Sequence, residues 1–241
     1  MAWRCGSLFH RRGDLRLSPP FRVFVTATDT GVGKTEVACA LLSLLAEAGL
    51  NPAPFKPYES GCSDLRSPVD ASALREAARS QDELSDICPH RFRAPLAPGA
   101  AAERLGQKPS WQRTLRAFHH FDGRALVAEG AGGLLVPIDG RRDILDLISA
   151  LRLPTLLVAR SGLGTLNQTG LSLRTLKEHG AKVIAVVLTR TTPAGDASER
   201  DNPYWIRRRH RVRVLGPIPY QADPALRRAA FRRALRPLLQ R

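Results

Sequence analysis

The stretch Thr26–Thr35, TATDTGVGKT, carries the residue types that hold a polyphosphate. Gly31 and Gly33 let the backbone curl, so that successive N–H groups around Thr30, Gly31, Val32 and Gly33 point at phosphate oxygens. Lys34 offers a cation to the β- and γ-phosphates, and the Thr35 hydroxyl is a hard oxygen ligand for Mg²⁺. The standard GxxxxGK[ST] spacing is not met, because its first glycine position is Thr28. Three more charged residues stand in contexts that suit the same chemistry: Lys56 in FKPYESG, Asp70 in SPVDASAL and Glu129 in AEGAGG. An ammonium fixed beside a phosphoryl group stabilises the charge that develops in transfer, and carboxylates can complete the shell of a divalent cation. Asp70 admits two readings, helix N-cap or metal ligand, and Asp64 competes for the second.

These residues need a scaffold that brings them together. Phe21–Ala27 is a short apolar, β-branched run that reads as a buried strand. Lys34–Ala48 repeats apolar residues at helical spacing and is followed by Gly49, a good C-cap. Further strands are expected at Pro54–Lys56, Arg124–Glu129, Pro154–Ala159, Lys182–Thr189 and Val212–Leu215. Helices are expected near Leu74–Ala78, from Thr165 to His179, and over Pro224–Leu239. The last would turn Leu226, Ala230, Phe231 and Leu235 inward and be bent or ended by Pro237. Pro89–Pro109, rich in Pro and Ala, gives no clear pattern. Strands alternating with helices imply an α/β fold of P-loop NTPase type, a mostly parallel sheet with helices on both faces. Ligands of such sheets bind beyond the carboxyl ends of the strands, which is where the singled-out residues fall: after Val25, Phe55, Val127, Val158 and Leu188.

The chain has 241 residues and a formal net charge of +15. Met1–Arg22 holds five Arg against one Asp, and Tyr204–Arg241 holds eleven Arg against one Asp, so the body between them is near neutral. The division expected is a basic, disordered leader over residues 1–20 and one α/β domain over 21–241 with an Arg-rich segment from about 204. The leader lacks the apolar core of a secretory signal; a transit peptide and an early start codon are the other readings. The tail lacks interleaved aromatics and any groove-reading motif, so its charge reads as a solvated surface and not as a nucleic-acid site. No apolar run approaches the roughly 18 residues of a membrane span. Cys5, Cys39, Cys62 and Cys88 share no CxxC spacing and read as free thiols of a reducing, cytoplasmic setting.

VTATDTGVGKT, KPYESG and AEGAGGLLVP together resemble the dethiobiotin synthetase family, over about Phe21–Pro224. That family has a P-loop one residue longer than the standard one, and usually Gly at the position of Ala27, which a methyl group can fill where φ is negative. The resemblance implies an ATP- and Mg²⁺-dependent ligase of biotin biosynthesis. One amine of 7,8-diaminononanoate takes up CO₂ as a carbamate, ATP phosphorylates it, and the second amine closes the cyclic urea. It implies Lys56 and Lys34 at the reacting centre, Thr35, Asp70 and Glu129 around Mg²⁺, and Gly130, Ala131 and Gly132 close to nucleotide and substrate. Ser60 would contact substrate. Gly164, Thr165 and Asn167, in ARSGLGTLNQT, would cap the substrate carboxylate of a partner subunit in a homodimer, although the residues alone fit an ordinary loop with Thr165 as N-cap. Thr189, Arg190 and Pro219 would hold the base. The family commonly has Asn at position 189, and Thr cannot make the same two-point contact with adenine, so relaxed base selectivity is expected.

Two related enzymes and switches remain as alternatives. The synthetase domain of cobyrinate-type amidotransferases shares a related P-loop but accompanies a glutaminase domain, for which this chain has no room. ParA/MinD-like ATPase switches carry a second lysine early in the loop, and residues 26–33 contain none.

Overall fold

A computed structural model describes residues 20–240; the expected leader, apart from Pro20, and Arg241 lie outside them. The elements run β1 (Arg22–Ala27), α1 (Lys34–Glu47), β2 (Ala53–Phe55), β3 (Tyr58–Ser60), α2 (Val69–Ala78), α3 (Leu84–Ile87) and β4 (His90–Phe92). Then come α4 (Pro98–Glu103), α5 (Trp111–His119), β5 (Leu126–Glu129), α6 (Ile144–Leu151) and β6 (Thr155–Arg160). The chain ends with α7 (Thr165–Glu178), β7 (Val183–Thr189), α8 (Asn202–His210), β8 (Val214–Ile218) and α9 (Pro224–Leu235).

Six strands form one sheet in the order β2-β5-β1-β6-β7-β8, every pairing parallel. Alternation along β1 sends Phe24 to one face, among Leu126, Leu145, Leu173 and Ile206, and Val23 and Val25 to the other, among Leu41, Leu45, Phe231 and Leu235. Both faces are thus covered, which is why the strands are continuous apolar runs. A separate pair, β3 with β4, lies beyond the β2 end of the sheet's chain path.

The topology positions the site. β2, β5 and β1 are neighbours, with Phe55 opposite Ala128 and Val25 opposite Glu129. Their carboxyl ends therefore bring Lys56, Glu129 and the loop before α1 to one edge. Gly33 is the N-cap of α1 at φ 92°, a left-handed conformation that glycine adopts without strain. Ala27 is not among the residues of positive φ, so its methyl group is accommodated.

At α9 one expectation needs correction, and the other, that Pro237 bends or ends the helix, is met. Leu226 is 59% exposed and not part of the core, whereas Ala230, Phe231 and Leu235 are buried as expected. α9 stops at Leu235, where a 3-10 turn carries Pro237. Moreover, α3, α4, α5, α6 and α8 form where the sequence pattern predicts no helix.

Candidate active site

Lys34, Thr35, Lys56, Ser60, Asp70, Glu129, Ala131 and Gly132 line one cavity of about 660 Å³, together with Thr30, Gly31 and Gly33. At its floor Lys56 is buried, with Nζ 2.6 Å from Glu129 Oε1 and 2.9 Å from Asp70 Oδ2. Burial alone would lower the Lys56 pKa, but the two carboxylates outweigh it and hold the ammonium well above its ordinary value. Pro57 keeps the backbone of Lys56 out of the helical region, and the Lys56 N–H donates to the Ile87 carbonyl at 2.8 Å. The Thr35 hydroxyl donates to Glu129 Oε1 at 2.9 Å. The second oxygen of Glu129 is buried without a hydrogen-bond partner among the described residues.

Lys34 behaves differently. Its pKa falls to about 8, because burial disfavours the ammonium more than Glu129 favours it, and Lys56 adds repulsion. Its Nζ donates to the Asp29 carbonyl at 3.0 Å, folding the side chain over the loop.

Asp70 is not the N-cap of α2; that place is held by Pro68, with Asp70 in the first turn. The cap comes instead from Glu59 on β3, whose two oxygens accept from the Asp70 and Ala71 N–H groups at 2.9 Å each. Glu59 was not singled out from sequence. A carboxylate capping a helix eleven residues later leaves no local pattern, although the negative charge at a helix N-terminus is favourable.

Thr189 is placed differently from expectation. It is 1% exposed and its hydroxyl donates to the Val32 carbonyl at 2.7 Å, so it braces the loop before α1 and does not present its hydroxyl to a base. Arg190 pairs with Glu199, its Nε donating at 2.9 Å, and Glu199 also accepts from the Ser161 hydroxyl at 2.6 Å. Pro219 is exposed just beyond β8.

The loop before α7 stands apart from the cavity: neither Gly164, Thr165 nor Asn167 lines it. Gly164 is the N-cap of α7, at φ 89°. The Thr165 N–H donates to the Gly162 carbonyl at 3.2 Å, so it cannot also cap a carboxylate, and its hydroxyl is buried against Thr169. Around this loop, Leu163, Leu166 and Leu171 are exposed, Leu163 by 85%.

A family model described as an AAA domain matches residues 22–225. An ATP-dependent dethiobiotin synthetase BioD of Anaeromyxobacter dehalogenans (strain 2CP-C) is 46% identical over 211 residues, 87% of this chain and 94% of that protein. The protein of the same description from Bacillus subtilis subsp. natto is 33% identical over 202 residues, 83% of this chain and 87% of that protein. Among solved structures, a ParA family ATPase from Chlorobium tepidum TLS superposes with a TM-score of 0.51 at 15% identity, covering 92% of this chain and 94% of that one, a likeness of fold. With a family model spanning most of the chain and relatives matched nearly end to end, the chain belongs to the ATP-dependent dethiobiotin synthetase family.

Proposed function

We propose that the chain makes dethiobiotin in biotin biosynthesis, closing the cyclic urea of 7,8-diaminononanoate with CO₂ at the expense of ATP. The observation that carries this reading is the cluster Lys56–Glu129–Asp70 beside Lys34 and Thr35, at the carboxyl edge of three adjacent strands. The loop from Thr30 to Thr35 receives the triphosphate on its backbone N–H groups and the start of α1. Lys34 neutralises phosphate charge. Lys56 bridges carbamate and γ-phosphate, stabilising both as the phosphoryl group passes to the carbamate oxygen and ADP leaves. The second amine then attacks the carbonyl carbon and phosphate departs. Ser60 contacts the substrate from the same cavity.

Mg²⁺ suits this donor set. Glu129 Oε2 is a buried carboxylate oxygen in need of a partner, the Thr35 hydroxyl lies on the same carboxylate, and Asp70 converges on the same point. Glu129, Thr35 and Asp70 would hold the ion, phosphate oxygens completing the shell. When bound, it supplies positive charge to the phosphates being transferred.

The functional unit we propose is a homodimer. The α7 N-terminus lines no part of its own active-site cavity, and the leucines beside it are exposed. A second copy would cover that surface and receive these amides at its substrate carboxylate. With the Thr165 N–H taken up internally, the free amides are those of Gly164, Leu166 and Asn167, which have no backbone acceptor among the described residues. No described helix is long and apolar enough to cross a membrane; a cytoplasmic setting is our reading. The likeness to ParA rests on fold alone, and no lysine stands among residues 26–33 for a switch of that kind.

Phosphate release in the presence and absence of diamine, bicarbonate and Mg²⁺ tests the reading. Release should require all three. Hydrolysis indifferent to the diamine but raised by DNA would favour an ATPase switch.

A further inference from the structure

α2 and α9 both pack on α1, one on either side, and leave a trench of about 870 Å³ above it. Along α1 the trench runs from Thr35 to Ser43, about 12 Å at the helical rise. Small side chains make its floor, among them Ala40, Ala73, Ala77 and Ala229. Its walls are cationic: six arginines face it against two glutamates, Glu36 and Glu76.

The arginines divide into two sets. Arg227 pairs with Glu36 at 3.0 Å, and Arg232 pairs with Glu47. Arg79, Arg228, Arg233 and Arg236 have no ion pair among the described residues. On α9 the residues at 225, 228, 229, 232 and 233 recur at helical spacing and form one face, flanked by the side that buries Phe231 and Leu235, and Arg236 continues it in the following 3-10 turn. Like charges three or four residues apart on one helix face repel. That repulsion persists here with too few acids to offset it, and guanidinium forks match the geometry of phosphate and carboxylate oxygens. The trench is distinct from the active-site cavity, sharing with it only Thr35 and Glu36. Neither Lys34 nor Lys56 lines it.

We infer that the trench is a second anion site, for a small molecule bearing two or more phosphate or carboxylate groups on a compact body. Its volume lies within the roughly 300–1,000 Å³ of small-molecule sites. The assignment rests on the α9 face and does not depend on the reaction at Lys56.

Calorimetric titration of the whole chain with inorganic tripolyphosphate counts the sites. Two equivalents per chain are expected. Lys34→Ala should remove the P-loop equivalent and leave the other. The double variant Arg228→Ser, Arg233→Ser should weaken the trench equivalent at least tenfold and keep the P-loop one. Ala229→Glu, at an exposed position of the floor, should do the same without deleting an arginine. Repeating the titration with ATP and with citrate in the Lys34→Ala chain separates nucleotide, free polyphosphate and polycarboxylate as the source of the anion. One equivalent in the unaltered chain, or a second that persists in both trench variants, would overturn the assignment whether or not dethiobiotin is formed.

Discussion

The Lys56 floor and the α7 loop are opposite kinds of surface. Around Lys56 the ammonium pairs with one oxygen each of Glu129 and Asp70, and Thr35 with Glu129, at 2.6–2.9 Å, with Lys56 and Glu129 themselves out of water. Around Leu163 the chain exposes apolar side chains and helix amides, with Leu166 and Asn167 bordering a cavity beside Trp205. The first region is preorganised for charge. The second makes sense only against something outside the chain. In the homodimer proposed above, one subunit assembles the nucleotide site and substrate recognition takes two.

The largest effect is expected from Lys56→Ala. Losing one donor at a centre of developing charge costs turnover about 10²-fold or more. It also leaves Glu129 buried without its cation, and breaking a buried pair costs about 3–5 kcal/mol of stability. Denaturant unfolding alongside phosphate release should show both losses. Lys34→Ala should lose turnover comparably yet keep its stability, because its ammonium is already disfavoured by burial. Equal stability losses in the two variants would contradict the distinction.

The next effect tests the other region. Leu163→Asp with Leu166→Asp places charge on the exposed apolar surface. Sedimentation should show monomers, and the KM for the diamine should rise at least tenfold while the Kd for ATP stays within twofold. A dimer that persists, or an ATP affinity that falls in step, would mean that the nucleotide half is not self-contained.

The contrast also governs what could be read from sequence. The strands that carry the site are apolar runs that give way to polar or charged residues, so the sequence places β1, β5, β6 and β7 to within a few residues. Lys34, Lys56 and Glu129 follow from motifs at those ends and Asp70 from the family resemblance, and the structure brings all four to one cavity. α6 was overlooked because ILDLISAL is apolar on nearly every side; the capping box of Asp143 and Asp146 was the available signal. α8 was overlooked because its Arg207–Arg209 run hides its buried face at Ile206. Glu59 and Thr189 act through partners 11 and 157 residues away, a relation that no local spacing encodes.

Thr189 gives a smaller effect. Its hydroxyl is one hydrogen bond to a loop carbonyl, a contribution of about 0.5–1.5 kcal/mol. Thr189→Val should raise the KM for ATP, CTP, GTP and UTP together by less than about tenfold, leaving their ratios unchanged. The four triphosphates should also support turnover within about tenfold of one another in the unaltered chain, since no amide stands at this position to discriminate between bases. Steady-state kinetics with each nucleotide decides both points, and a ratio altered by Thr189→Val would return this residue to the base.

The smallest effect is a fraction of a proton. Lys34 in the unliganded chain has its pKa lowered from 10.5 to about 8, so near pH 8 about half of the chains carry a neutral amine there. A bound triphosphate favours the ammonium and raises that pKa again. Binding at pH 8 must therefore take up about half a proton, binding near pH 6.5 almost none, and affinity must fall as pH rises beyond 8. The linkage to folding has the opposite sign. Between about 8 and 10.5 the unfolded chain holds the Lys34 proton that the folded chain has released, so this residue makes stability rise with pH across that window. Lys56, held above its ordinary value by Glu129 and Asp70, keeps its proton throughout and takes no part. Calorimetry of ATP binding in buffers of different ionisation enthalpy measures the uptake directly, and Lys34→Arg, which keeps the charge at every accessible pH, should abolish it. No uptake at pH 8 in the unaltered chain would mean that Lys34 is solvated or paired well enough to remain an ammonium before the nucleotide arrives. The nucleotide half would then be less dry, and closer in kind to the α7 surface, than its geometry implies.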